Sequence, residues 1–333
     1  MVQLFLTRTR KTGGALLLLA CVALVCAHAA SAAPRAKNNA AAPEFWKMSL
    51  DGGRSLTWER NLSSEAEVKP NRGFWNKTWD IIAGEPDFHS LVRPYAVAID
   101  SRGRILVTDP GASGVHIFDL VQHKYKFIER RDKMVRPQCI ALDAKDNIYV
   151  TDSEAGVIFV FDAAGKFQHA LGSLKGGEGY FKRPTGIAVD SVAQRIYVTD
   201  TLRNQVFVLD MNGTVLQTIG HEGNAPGEFN FPTDLRLDGD NLLVVDAMNF
   251  RVQAFDRTGT FKFEIGKLDP DAGATFRPIS IAADSENDLY VVDGLHGAVQ
   301  VLNRDGQLLY YFGAEWHTPG GVPASCGALH RRG

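Results

Sequence analysis

Arg183-Pro184-Thr185-Gly186-Ile187-Ala188-Val189-Asp190, then Ile196-Tyr197-Val198-Thr199-Asp200, then Asn204-Gln205-Val206-Phe207-Val208-Leu209-Asp210 is the stretch whose reading decides the fold. Three short runs rich in β-branched and aromatic residues each end on an aspartate suited to a turn. The same phrases stand upstream as Arg93-Pro94 with Ala98-Ile99-Asp100, Ile105 to Asp109 and Val115 to Asp119. They stand again as Arg136-Pro137 with Ile140 to Asp143, Asn147 to Asp152 and Val157 to Asp162. Two further copies open at Phe231-Pro232 and Arg277-Pro278, so the marker prolines lie 43, 47, 48 and 46 residues apart. A repeat of this period signals an array or a closed ring of units.

Each unit adds a fourth run, such as Thr214-Val215-Leu216-Gln217-Thr218-Ile219, before a Gly-rich crossing to the next. Four short strands make one antiparallel blade, and a sheet this small buries its two faces only against its neighbours. Turns such as Asp238-Gly239-Asp240-Asn241 separate the runs and leave no room for crossover helices. The predicted fold is all-β: a β-propeller of four-stranded antiparallel blades, five complete and a sixth incomplete.

Gly220 to Pro232, continued by Asn249-Phe250-Arg251-Val252-Gln253 and Phe255-Asp256, resembles the NHL-repeat family of six-bladed propellers, of the kind found in secreted bacterial proteins. The likeness runs from about Arg93 to Gly313. It implies six blades and a ligand face at one end of the ring. It does not choose among the binding modules, sensors and metal-dependent lyases of such propellers.

Outside the repeats, Arg8, Arg10 and Lys11 precede an apolar run from Ala15 to Ala30 that closes on Ala30-Ser31-Ala32. This reads as a secretory signal over residues 1–32, cleaved before Ala33, and predicts a periplasmic or secreted protein with no membrane span after cleavage. Leu18-Leu19-Ala20-Cys21 is a poor lipobox, so no lipid anchor at Cys21 is expected. Losing three cations takes the formal charge from −2 to −5, which argues against a nucleic-acid partner. Residues 33–44 read as a flexible linker, 45–92 as an aromatic-rich segment, 93–320 as the repeats and 321–333 as an out-of-frame tail. That segment carries Trp46, Trp58, Trp75 and Trp79 with Phe74 and Phe88, which suit packing better than a ligand platform.

Gly313 to Gly320 aligns with Gly220 to Gly227, after which Glu-Phe is due and Gly321-Val322-Pro323 stands instead. A shifted reading of the degenerate codons from Gly321 permits Glu-Phe-Gln-Leu-Pro-Ala-Gly-Leu-Tyr-Ile-Asp, another blade opening with its proline in phase. A frameshift that truncates the last blade is therefore expected. Phe45 to Leu50 or Ser55 to Arg60 would then serve as a closing strand without a sixth repeat to complete, in a gapped ring.

Hairpin geometry places the lead-in to each first strand and the loop after each second strand at one end of the blade. The lead-ins carry Arg93, Tyr95, Arg136, Gln138, Arg183, Thr185, Thr233, Asp234 and Arg277; the loops carry Asp109, Asp152, Asp200, Asn204, Asp246, Asn249, Asp293 and His296. The four arginines suit an anionic ligand, but their repetition favours ion pairs with the aspartates. A ligand site is expected where repeats differ, at Tyr95, Gln138, Asp234, Asn249, Arg251 and His296. The binding candidates are these six with Arg93, Arg136, Arg183 and Arg277.

No catalytic set is expected. His89, His116, His123, His169, His221 and His317 fall at joints, strands or outer turns, and only His296 lies in a channel-mouth loop. That pattern departs from the amidoglycolate-lyase and streptogramin-lyase branches of related propellers. Asp269-Pro270-Asp271 lacks calcium-loop spacing, Gly172 to Gly179 lacks the Lys-Ser of a phosphate loop, and no Gly-x-Ser-x-Gly elbow occurs. The sequence therefore favours a cofactor-free module binding a peptide, glycan or protein; the alternative is a metal-dependent lyase or hydrolase using zinc or calcium.

Overall fold

The computed structural model describes residues 2–8, 17–21, 47–49, 55–68, 89–130, 133–173, 179–266, 277–284, 288–295 and 297–312. Trp46, Phe74, Trp75, Trp79, Phe88, His296, the linker, the cleavage position and residues 313–333 lie outside them. No described helix is long and apolar enough to cross a membrane.

The N-terminal strands are β1 (Val2–Arg8), β2 (Leu17–Cys21), β3 (Lys47–Ser49) and β4 (Ser55–Leu62). The first repeat supplies β5 (Val97–Ile99), β6 (Ile105–Asp109), β7 (Gly114–Asp119) and β8 (Lys124–Glu129). The second supplies β9 (Pro137–Leu142), β10 (Ile148–Asp152), β11 (Val157–Phe161) and β12 (Phe167–Leu171). The third supplies β13 (Pro184–Asp190), β14 (Arg195–Asp200), β15 (Gln205–Asp210) and β16 (Val215–Ile219). The fourth supplies β17 (Pro232–Asp238), β18 (Asn241–Asp246), β19 (Arg251–Asp256) and β20 (Phe261–Ile265). The fifth supplies β21 (Pro278–Ala283), β22 (Leu289–Asp293), β23 (Ala298–Leu302) and β24 (Leu308–Phe312).

Each repeat is one antiparallel four-stranded meander, so the five expected blades form a β-propeller. Pro137, Pro184, Pro232 and Pro278 open first strands, where a missing N–H removes no essential ladder bond, and the β9–β10, β13–β14, β17–β18 and β21–β22 pairs all slip register beside them; Pro94 stands three residues before β5. Second and third strands are buried nearly throughout because both sheet faces meet a neighbouring blade. The outer strands β8 and β16 are mostly exposed. Leu106, Val115 and Ile117 of the first blade pack on Ile148, Val150 and Phe159 of the second, and Tyr197 and Val208 of the third on Leu242 and Phe255 of the fourth. Full burial of such a side chain contributes about 1.5–3 kcal/mol.

No sixth repeat blade closes the ring among the described residues, but its arc is not bare. A sheet of order β2-β1-β4-β3 stands there, with Leu56 packed on Tyr290, Val299 and Phe312 of the fifth blade and Leu62 on Ile105 and Phe118 of the first. Ser55–Leu62 stands in that arc between the fifth and first blades and pairs with β1 and β3, not with a repeat strand. The reason is local: residues 2–8 and 17–21, read as a leader, are strand-forming apolar runs joined closely enough to pair as a hairpin.

The repeated Thr-Asp doublet divides its work. Thr151 Oγ1 donates to the Thr185 carbonyl of the next blade at 2.5 Å, and Thr108 Oγ1 donates likewise to the Gln138 carbonyl. The aspartate turns back to its own lead-in. Asp152 accepts from the backbone N–H groups of Val135 at 2.7 Å, Arg136 at 3.0 Å, Glu154 at 3.0 Å and Ala155 at 2.9 Å. Asp152→Ala strands these four donors beneath the loop, so we expect a loss of about 3 kcal/mol or more by urea unfolding, with Asp152→Asn losing less because one acceptor oxygen remains.

Candidate functional site

The clamp recurs around the ring. Asp109 accepts from Val92 and Arg93 N–H at 2.6 and 2.9 Å, Asp200 from Lys182 and Arg183 at 2.8 and 3.0 Å, and Asp293 from Arg277 at 3.2 Å. Asp109, Asp152, Asp200, Asp246 and Asp293 are all fully buried. Burial by itself would raise the Asp109 carboxyl, but bonds from His116 and from the Arg93, Val92 and Ala112 backbones hold it below the ordinary carboxylate value.

This corrects the expected ion pairs. The aspartates bind the arginines' backbone amides, and the side chains of Arg93, Arg136, Arg183 and Arg277 remain exposed at the rim. Arg136 reaches only Glu154, at 3.9 Å. The loops are tied to the lead-ins by Ser153 N–H to the Arg136 carbonyl, Thr201 N–H to Arg183 and Gly294 N–H to Arg277, at 3.0, 3.0 and 2.8 Å. One end of the propeller therefore carries four open guanidinium groups.

Exposed apolar side chains share that end. Leu202, Met248 and Leu295 stand two residues after the clamp aspartates, and Val92 and Val135 immediately precede the arginines. Phe231, which replaces the arginine in the fourth blade, is 40% exposed. Its φ is +55°, a left-handed conformation costly for an aromatic residue, fixed by its N–H donating to Asn204 Oδ1 at 2.8 Å and its carbonyl accepting from Ala247 at 3.3 Å. Sequence reading missed this apolar set; turn tips reading Gly111, Glu154, Leu202, Met248 and Leu295, apolar in three blades of five, were the signal.

Three candidates lie inside the framework instead. Arg251 is buried, donating to Asp246 at 2.9 Å, Glu264 at 2.8 Å and the Ala225 and Glu228 carbonyls at 2.9 and 3.0 Å. Asn249 donates to the Gly223 carbonyl and to Asp246, at 2.8 and 2.9 Å. Gln138 is buried, its carbonyl held by Thr108.

Tyr95 and Asp234 converge on a pocket of about 80 Å³ at the inner edges of the blades, also lined by Cys139, Arg236, Ser280 and Tyr290. Asp234 accepts from Ser280 Oγ at 2.6 Å, Leu235 N–H at 2.9 Å and Ile281 N–H at 3.2 Å, latching β17 to β21. Gly186 permits the approach of β13, since a Cβ there would lie 2.6 Å from the Asp234 Cα. Burial pushes the Asp234 carboxyl up, against the pull of Arg236 and of its donors. Burial, then the neighbouring Asp234, also raises the Cys139 thiol; the Tyr95 phenol is raised by burial, then by Cys139 and Asp234. Among the described residues, no three His, Cys, Asp or Glu side chains converge to hold a metal.

A family model described as DUF5128, 6-bladed beta-propeller, matches residues 187–296. No curated protein matches the sequence significantly. Among solved structures, virginiamycin B lyase from Staphylococcus aureus superposes with a TM-score of 0.52 at 16% identity, over 68% of this chain and 71% of that one. A streptogramin B lyase superposes at 0.52 and 18% identity, over 68% and 70%. A chain of a nidogen/laminin complex does so at 0.53 and 20%, over 68% and 83%. Identities this low show a shared propeller fold, which serves unrelated purposes in these proteins.

The raised Asp234 carboxyl has a signed consequence. Unfolded, it ionises near its ordinary 3.8; folded, it keeps its proton to higher pH, so its contribution to stability is full below that value and is lost as pH rises through the folded pKa. Asp234→Asn removes the titration. The stability of this variant relative to wild type is expected to grow as pH rises from about 4 towards neutrality; a difference in urea midpoint that shrinks over that range would contradict the assignment.

Proposed function

We propose that this protein is a noncatalytic NHL-type propeller that binds an acidic, apolar segment of a protein partner on the end bearing Arg93, Arg136, Arg183 and Arg277. One observation carries the reading: the clamp aspartates bond backbone amides, so four guanidinium groups face solvent beside exposed Phe231, Leu202 and Met248. Guanidinium forks suit carboxylates, and an aromatic side chain on a fixed backbone beside them loses little entropy on contact. Exposed aliphatic tips favour a peptide over a glycan, which stacks on flat aromatic faces. In the same reading the protein is exported by its N-terminal signal, whose cleavage takes β1 and β2 away and leaves β3 and β4 in the arc, and a frameshift after Gly320 interrupts a sixth repeat. The first 32 residues and the tail composition support these two points.

Binding to an array of peptides graded in acidic and aliphatic content tests the proposal. Binders should be rich in both and weaken with salt, and replacing the four arginines with glutamine should cost about tenfold or more in affinity. Phe231→Gly should weaken binding comparably, yet leave stability unchanged or raised by up to about 1 kcal/mol, since glycine takes a positive φ without a Cβ clash. Preference for basic peptides, or full affinity in both variants, refutes the reading. Sequencing the gene across the Gly320 codon tests the frameshift, which an uninterrupted native frame excludes.

A further inference from the structure

The inner strands place equivalent residues at equal depth in the ring. The fourth residue after each marker proline reads Ala98, Ala141, Ala188, Arg236 and Ala282; the second reads Ala96, Cys139, Gly186, Asp234 and Ser280. Both charges among these positions come from β17. The alanines pack at the blade interfaces, whereas an arginine is too long for that space and stands exposed into the pocket.

Asp234 and Arg236 do different work. The Asp234 oxygens are taken up by Ser280, Ile281 and Leu235, so this carboxylate offers nothing to a bound cation. It fixes the Ile281 segment, whose carbonyl accepts from Arg236 Nε at 3.4 Å. The two terminal nitrogens of Arg236 have no protein partner among the described residues, and neither does the Tyr95 hydroxyl on the same pocket wall. Beside Cys139, Ser280, Tyr290 and the tied-up Asp234, most of the remaining wall is aliphatic, from Val97, Ile140, Ile187 and Ile281. A guanidinium held at Nε and open at its other two nitrogens presents a fork matched to a carboxylate, and apolar walls suit a short hydrocarbon body.

We propose that this inner pocket binds a carboxylate with a short aliphatic body, supplied as a free acid or as an acidic side chain, with Arg236 as its anion partner and Tyr95 as the second polar contact. The site lies within the ring; Arg183 of the rim is close enough to act electrostatically on Tyr95, and Arg236 is the cation that lines this pocket itself. Calorimetric titration of the full chain with butyrate, and separately with N-acetylglutamate methylamide, tests it, with butyramide as the uncharged control. Butyrate should bind saturably and butyramide at least about tenfold more weakly. Arg236→Gln should lose the butyrate affinity by a similar factor while melting at the wild-type temperature, since Arg236 is exposed; Tyr95→Phe should weaken it less. Arg236-dependent binding of the glutamate derivative alone would assign the site to an acidic side chain. Saturation by neither acid, or equal affinity in wild type and Arg236→Gln, overturns the proposal.

Discussion

A buried carboxylate aimed at backbone amides, once per blade, is the constraint on which the rest of the molecule depends. Burying an ionised aspartate is costly unless its lone pairs are filled, and the loop after each second strand and the lead-in to each first strand supply the N–H donors that fill them. In the second blade Asp152 takes four. Two segments that share no ladder are thereby held together, which fixes the rim of the blade and determines which side chains reach water. The arginines are spent as backbone donors and left free as side chains.

The fold was legible because its signal is local and repeated: a proline at the head of each first strand, alternating runs of about six residues, and aspartates at their ends. The roles of individual residues were less so. An Arg-Pro lead-in and a Thr-Asp strand end suggest a salt bridge on paper, because opposite charges invite pairing; which atom of the arginine meets the carboxylate depends on a backbone bend that composition does not encode. Arg251 drew notice by breaking the repeat, yet its partners Asp246, Glu264, Ala225 and Glu228 come from three different segments and make it a brace. Phe231 was visible as the missing arginine, but its left-handed backbone follows from a bond to Asn204 in the preceding blade, a non-local contact. Arg236 contrasts with four alanines at equal depth, a difference that has meaning only once the register of the inner strands is known.

Closure of the ring shows the same limit. Ser55 to Arg60 was recognisable as a closing strand by its alternation, but the identity of its partners was not, since pairing register is set by what else stands in the arc. In the structure that arc holds β1 and β2, drawn from residues that also have the composition of an export leader. The pattern of an export leader and that of a pairing strand coincide in this stretch, and sequence alone does not separate them.

The end of the propeller opposite the rim has the reverse electrostatic make-up. There Arg257 is tied to Asp190 and Arg304 to Asp238, each bridging adjacent blades, while Asp162, Asp210 and Asp256 spend a side-chain oxygen on their own turns. Those two arginines are held by carboxylates, whereas the four rim arginines stand exposed above the buried clamp aspartates. At the rim, positive charge faces water and its compensation lies beneath. Within a Debye length of about 8 Å at physiological salt, an approaching anion meets the guanidinium groups before it feels the carboxylates below them, a layering set by the blade architecture itself.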